Sequence, residues 1–335
     1  MSVLTWRNIF WKKGCDVIIY DNLSRKGSEI NLRWLKSHHN NFKFIKGDIR
    51  DFEHMKNVLS YEVDAIIHAA AQVAVTRSLQ NPKEDLETNI IGTFNILELA
   101  RKSYSRPFIV YFSTNKVYVN NVNKIPIVEG ETRYWFKDKK YKFGIPENFP
   151  TDSDEHTPYG ISKYAAELYV RDYCKNYSLP SVSLRCSCIY GPQQFGNEDQ
   201  GWIAHFIISS IFDRPLTIYG NGKQVRDILF IEDLNKLVEL AINNSNRIKG
   251  LVFNVGGGVK NTCSLLELIQ ILEEKLGKKI KYKFVEWRPG DQKVYVSDIR
   301  KVKRVLKWEP KTTIEKGIRK MIEWVKNNKK LFHFK

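Results

Sequence analysis

No apolar run in these 335 residues approaches the roughly 18 needed to cross a bilayer, so no membrane segment is expected. The opening residues Met1 to Gly14 set charges among aromatics and lack an h-region and a small-residue cleavage site. A secretory signal is therefore not expected, and a cytoplasmic location is. Cysteine is sparse: Cys15, Cys174, Cys186, Cys188 and Cys263 are an odd set with no CxxC spacing. That excludes a disulfide framework and the common zinc patterns, leaving reduced thiols and no metal site. Basic blocks are absent as well. The net charge is +17, yet no five basic residues stand together. With no word typical of a nucleic-acid-binding fold, nucleic acid is not an expected partner, and the basic field suits small polyanions instead. Repeats, low-complexity tracts and a linker between independent domains are also missing.

What is present is an alternation. Asp16 to Tyr20 is an apolar run ending in Asp21-Asn22, and Phe42 to Ile45 ends at Gly47-Asp48. Ala65 to His68 continues into Ala69-Ala70-Ala71, and Phe108 to Phe112 ends at Ser113-Thr114. Helical spacing fills the intervals, as in Asn89 to Arg101, so the first half predicts βαβ units around a parallel sheet. In such a sheet ligands gather at the carboxyl ends of strands, where these polar residues stand. Residues 120–157 dissolve into polar and aromatic loop, and a helix opens at Thr157-Pro158, with Pro in the first turn. Beyond Pro192 come a Pro215–Tyr219 run, a Gly220-Asn-Gly222 turn, Val225 to Asp233, and two amphipathic helices, Leu265 to Leu276 and Thr313 to Asn327.

Tyr159-Gly-Ile-Ser-Lys163 carries the chemistry. On a helix, residues four apart share one face, so an ammonium at Lys163 is expected to depress the Tyr159 phenol toward neutrality. A phenolate there is a base for a sugar hydroxyl. An exposed helix can carry the same spacing without function. Ser113-Thr114, at a strand end, adds a hydroxyl where a substrate would sit, although Thr114 could simply satisfy the backbone. Strand, hydroxyl, long loop and YxxxK helix follow in the order that brings them to one sheet edge.

Asp21-Asn22-Leu23, Gly47-Asp48-Ile49-Arg50, His68-Ala-Ala-Ala-Gln72, Asn89-Ile-Ile-Gly92-Thr93, Ser113-Thr114…Val117-Tyr118 and Tyr159…Lys163 together resemble the extended short-chain dehydrogenase/reductase family. The likeness runs on through Arg226-Asp227 to Arg288-Pro-Gly-Asp291. It implies a Rossmann-like, doubly wound α/β sheet over residues 1–185, with residues 186–335 mostly a smaller substrate lobe that returns some segments to the main sheet. It also implies NAD as cofactor, a nucleotide-diphosphate sugar as substrate, and a homo-oligomer, dimer or tetramer. Asp21 and Asn22 would meet the adenosine ribose, and Asp48 and Ile49 would flank adenine. Ala69, Ala70, Gln72 and Asn89 would line the pyrophosphate and the nicotinamide ribose. Thr114, Tyr159 and Lys163 would be catalytic, with Tyr159 and Lys163 also touching the cofactor. Asn115, Lys116, Arg226 and Arg288 would hold the substrate, the two guanidiniums matching its phosphates. Longer words, such as Asp21-Asn-Leu-Ser-Arg-Lys-Gly27 and Gly220-Asn-Gly-Lys-Gln-Val-Arg-Asp227, resemble those of members that epimerise a CDP-linked dideoxyhexose at C2, for surface-polysaccharide synthesis. The dehydratases of the family carry an Asp-Glu pair after the hydroxyl residue, whereas Asn115-Lys116 follows here.

The resemblance further implies an opening strand and a GxxGxxG loop for the pyrophosphate. Only 13 residues precede Gly14, and none is glycine. The first strand is thus expected to be absent, with residues 4–13 forming the helix that follows it. The chain as written is expected to bind NAD poorly, as a late-starting record or a degraded gene would, and reads as a truncated relative of a working epimerase.

Overall fold

The computed structural model describes residues 14–39, 41–58, 62–152 and 155–332. The helix expected over residues 4–13 and the question of the opening strand fall outside them.

Apolar runs become strands where the chain can be buried on both faces. The first is β1 (Val17–Asp21), followed by α1 (Ser28–His38) and by β2 (Phe42–Lys46), which pairs with β1 in parallel. Next come β3 (Ala65–His68), the short α2 (Val75–Gln80), a π-helical turn over Leu86–Ile91 and α3 (Gly92–Lys102). Strand β4 (Phe108–Thr114) is buried at every residue and runs two residues beyond the apolar stretch, so Thr114 is its last rung. Residues 115–157 are not shapeless. They hold a 3₁₀ turn over Asn115–Lys124 and a small antiparallel pair, β5 (Ile127–Glu129) and β6 (Tyr134–Phe136).

Helix α4 (Pro158–Asn176) begins where Thr157 caps it, its side chain accepting from the Gly160 amide, with Pro158 in the first turn. It leads to β5's successors β7 (Ser181–Cys186) and β8 (Cys188–Tyr190), then α5 (Trp202–Ile211), β9 (Leu216–Tyr219), β10 (Val225–Phe230) and α6 (Ile231–Asn243). The chain closes with β11 (Val252–Val255), β12 (Thr262–Ser264), α7 (Leu265–Leu276), β13 (Tyr282–Val285), β14 (Val294–Tyr295), α8 (Arg300–Leu306) and α9 (Ile314–Asn327). Val225 to Asp233 is thus strand as far as Phe230 and helix from Ile231 onward.

The main sheet is parallel in the order β11-β7-β4-β3, helices cover it, and β1-β2 form a separate parallel pair. A second sheet centres on β10, flanked by β12 and β14 and joined in parallel by β8. Ser187 lies between β7 and β8, so the chain leaves one sheet and enters the other within a single residue. Its hydroxyl secures the crossing by donating to Asp227 Oδ1 at 2.6 Å. The largest core lies between β4, β7 and the elements after Pro192. Burying these strands supplies most of the stabilisation, at roughly 25 cal/mol per Å² of apolar surface. Among the described residues no helix is long and apolar enough to cross a membrane.

Candidate functional site

Carboxyl ends of β3, β4 and β7 open into one cavity of about 390 Å³. Thr114 ends β4 and, through its side chain, accepts from the Lys116 amide at 3.2 Å, which turns the chain sharply away from the sheet. Helix α4 approaches that turn so closely that a Cβ on Gly160 would stand 2.9 Å from the Lys116 carbonyl oxygen. This contact sets Tyr159 beside Thr114, close enough for the Thr114 hydroxyl to act on the phenol, and both side chains line the cavity.

Burial controls the proton affinities. It pushes the Tyr159 phenol up to about 12, with Asp85 and Cys186 adding to the rise and the Thr114 hydroxyl and Arg25 opposing it. The same burial pulls Lys163 down to about 7, against the pull of Cys186, Asp85 and Glu167. The expectation that Lys163 depresses Tyr159 toward neutrality is therefore corrected: burial raises the phenol, and Lys163 is not among the groups that act on it. Geometry agrees, since Lys163 Nζ lies 4.3 Å from the centroid of the Tyr111 ring. Its main chain is also tied, the Tyr111 hydroxyl donating to the Lys163 carbonyl at 3.2 Å.

Behind the pair runs a buried polar chain. Asn89, on the π turn, donates to Ser162 Oγ at 2.9 Å and to the Gln72 carbonyl at 3.0 Å, while accepting from the Gln72 amide at 2.9 Å. Ser162 donates to Asp85 Oδ2 at 2.5 Å, and Gln72 Nε2 donates to Asp85 Oδ1 at 2.6 Å. Asn89 and Gln72 thus join the loop after β3 to helix α4.

At β1, Asp21 Oδ1 accepts from the Leu23 amide at 2.7 Å and holds Leu23 at φ 58°. Asp21, Arg25 and Lys26 border a smaller cavity of about 70 Å³. Asn22 donates to Asp48 Oδ2 at 2.8 Å, and Arg50 grips both Asp48 oxygens. Asp48 therefore locks two strand-end loops together, and its carboxyl is held far below the ordinary range by Arg50. Ile49 packs into the cluster of Met55, Ile96 and Leu99, so much of its side chain faces the core. Ala69 and Ala71 line the large cavity, whereas Ala70 is exposed beside them. Small side chains at the end of β3, lining the large cavity, and a carboxylate at the end of β1, lining the smaller one, fit the two ends of a dinucleotide.

The far side of the cavity is cationic. Arg226, on β10, is 2.6 Å from Asp291, and Lys116 Nζ stands 3.9 Å from the same carboxylate. Burial opposes ionisation of Asp291, yet Arg226, Lys116, the Gln292 amide and Arg288 together keep it below the usual carboxylate range. Arg288 lies flat on Tyr219, 3.8 Å from the ring centroid, and donates to the Glu198 carbonyl. Asn115 is turned aside, donating to Gln292 Oε1 at 3.3 Å. The structure thus brings Thr114, Tyr159, Lys163, Asn115, Lys116, Arg226 and Arg288 to one cavity, with Asp21, Asn22, Asp48 and Ile49 set apart at the β1-β2 edge.

Sequence reasoning passed over several wall residues. Cys186 and Cys188 flank the sheet crossing, and burial pushes the Cys186 thiol up to about 12, so it stays protonated. Trp202 Nε1 donates to Cys188 Sγ at 3.3 Å. Asp291 and Gln224 stood inside words already singled out, and two-residue spacing from Arg226 was the available signal for Gln224. No group of acidic, cysteine or histidine side chains suited to a metal occurs among the described residues.

The profile of the family described as GDP-mannose 4,6 dehydratase matches residues 7–321. The chain is 42% identical over 318 residues to CDP-paratose 2-epimerase of Salmonella typhi, covering 93% of this chain and 92% of that one. Its structure is similar to UDP-glucose 4-epimerase of Thermotoga maritima with UDP-glucose, with a TM-score of 0.81, 29% identity, and 97% and 95% of the chains covered. It is also similar to UDP-glucuronic acid 4-epimerase from Bacillus cereus in complex with UDP-glucuronic acid and NAD, at a TM-score of 0.81 and 26% identity, covering 96% and 95%.

Proposed function

The chain belongs to the GDP-mannose 4,6-dehydratase family of NAD-dependent epimerases and dehydratases, and from that premise we propose that it interconverts CDP-paratose and CDP-tyvelose by inversion at C2 of the sugar. The observation that carries this reading is that Thr114 and Tyr159, with Lys163 one turn on, line one cavity with Arg226, Lys116 and Arg288. Similarity to a CDP-paratose 2-epimerase supports the substrate. Elimination of water is disfavoured at Asn115-Lys116, which offer neither a carboxylic acid nor a carboxylate.

NAD is the cofactor. Asp21 and Asn22 would hold its adenosine ribose, Asp48 and Ile49 would border adenine, and Ala69, Ala70, Gln72 and Asn89 would face the rest of the dinucleotide. When bound, NAD supplies the acceptor that takes hydride from C2 and returns it. Thr114 donates to the C2 hydroxyl of the sugar, and Tyr159 Oη takes its proton as base. Burial holds the Tyr159 proton up to about 12 and leaves Lys163, near 7, the weaker holder, so the phenolate would need further positive charge beside it, which a bound nicotinamide ring would supply. Arg226, Lys116 and Arg288 retain the diphosphate while the keto sugar turns its other face to the cofactor. Residues 1–185 carry the cofactor and residues 186–335 most of the substrate, the reaction running in the cytoplasm as a step of surface-polysaccharide sugar synthesis.

Incubating the purified chain with NAD and CDP-paratose deuterated at C2 tests the proposal by proton NMR. CDP-tyvelose should form with its deuterium retained, because the hydride never exchanges with water. Turnover confined to UDP-sugars would instead favour inversion at C4, the reading supported by the likeness to UDP-sugar 4-epimerases. Binding of CDP-sugars without conversion would leave a nucleotide-sugar-binding relative.

A further inference from the structure

Gln224 precedes β10 and is 4% exposed, yet it borders the large cavity. Its amide orientation is fixed, since Nε2 donates to the Tyr219 carbonyl at 2.6 Å. Oε1 therefore points the other way, and it is buried without a hydrogen-bond partner among the described residues. Leaving a buried acceptor unsatisfied is costly, so a site that keeps one is expected to meet a donor from a ligand.

The position identifies that ligand. Gln224 and Arg226 are two residues apart in extended chain and line the same cavity, so they stand about 6.6 Å apart along it. Toward its carboxyl end β10 pairs with β8 at Ile228–Cys188, and Cys186 close by acts electrostatically on Lys163. That direction leads to the reacting sugar. Gln224 lies in the opposite direction, beyond the cations that suit a diphosphate, and beside Tyr219 with its stacked Arg288. The part of a sugar nucleotide that falls there is the nucleoside.

We propose that Gln224 is a specificity-determining residue of the substrate site, its Oε1 accepting a hydrogen bond from a donor of the nucleoside. The inference rests on the sugar-nucleotide reading above. Two groups present that chemistry: the exocyclic amine of cytosine and a ribose hydroxyl. Uracil, with a carbonyl in place of the amine, would set oxygen against oxygen.

Titration calorimetry separates the sources. CDP, UDP, 2′-deoxy-CDP and 3′-deoxy-CDP are titrated into the full chain and into Gln224→Met and Gln224→Lys. The lysine keeps a donor for the Tyr219 carbonyl while removing the acceptor. The unaltered protein should bind CDP on the order of tenfold more tightly than the analogue lacking the recognised donor. That analogue is UDP if the amine is read and a deoxy compound if the ribose is. Both variants should bring the ratio near one. Equal affinities of the unaltered chain for all four ligands overturn the proposal, even if a variant fails to fold. So does a variant that weakens all four by one factor or changes none. If the unaltered chain binds CDP and turns over its sugar, those outcomes strike only the role of Gln224. No CDP binding at all would remove the parent reading and this one together.

Discussion

Tyr159 and Lys163 share one helical turn and one burial, and that burial drives their proton affinities apart, the phenol up to about 12 and the amine down to about 7. The phenol gains affinity and the amine loses it, so near pH 7 the phenol keeps its proton and the amine is half neutral, and the phenolate needs added positive charge to form. Removing the Tyr159 hydroxyl while keeping the ring should lower turnover by roughly 10²–10⁴ with sugar-nucleotide affinity nearly unchanged. Steady-state rates of Tyr159→Phe decide this, and near-normal turnover would take Tyr159 out of the reaction. Lys163 makes a second case, about stability. Its folded affinity near 7 lies below the ordinary 10.5, so between those values the unfolded chain binds more protons and stability rises with pH. Below about 7 both states are protonated and the full burial penalty persists. Lys163→Met should therefore be inactive yet melt at a higher temperature at pH 7, its advantage shrinking as pH approaches 10. Melting curves across that range without added nucleotide check it, and a variant less stable at pH 7 refutes it. The YxxxK spacing places both side chains on one face of a helix, and both line the cavity. The spacing could not show the direction of their shifts, because desolvation depends on Tyr111, Asp85 and Cys186, which arrive from other elements.

Helix α4 delivers both residues, and its placement depends on what holds it from below. Its start was readable, since Thr157 and Pro158 do locally what a cap and a first-turn proline do in any helix. Its seating was not. The π turn at Leu86–Ile91 turns Asn89 toward Ser162, and no periodicity in the sequence marks an extra residue in a helical turn. The break at Ser187 was equally hidden, so Cys186 to Cys188 reads as one strand while its two ends serve different sheets. Within the seating, Asp85 is the costly member: fully buried, its carboxyl raised chiefly by burial, and relieved by Ser162 and Gln72. Ser162→Ala removes one donor and should destabilise the protein by about 1–3 kcal/mol. It should also reduce turnover, by letting Tyr159 drift from Thr114. Adding Asp85→Asn should restore part of the lost stability, because the stranded charge disappears. Denaturant melts of the single and double variants measure this, and simply additive losses would show that Ser162 and Asp85 are not coupled.

On the scale of the whole molecule, α3 and α4 present an apolar face that the chain leaves uncovered. Phe94 on α3 and Ile161, Leu168 and Tyr169 on α4 are between 37% and 52% exposed, and Phe94 meets Tyr169 edge-on at 5.7 Å. Ile91 at 43% extends the same side. A monomer seldom leaves so many large side chains in one patch, whereas two copies related by a twofold axis would bury each other's helices. The net charge of +17 argues against casual association, since like-charged molecules repel unless a specific apolar contact outweighs the field. The catalytic turn of α4 lies on the opposite side of that helix, where Tyr159, Ser162 and Lys163 are buried, so pairing would stiffen the element without covering the site. A homo-oligomer, dimer or tetramer, is accordingly expected to run through α3 and α4. Light scattering should give at least twice the 39.2 kDa of one chain at micromolar concentration. Ile161→Asp with Leu168→Asp should reduce it to a single chain that still binds CDP-sugar, because neither residue borders the cavity. An unaltered chain that runs as a monomer, or a double variant of unchanged mass, would show that this face is not where copies meet.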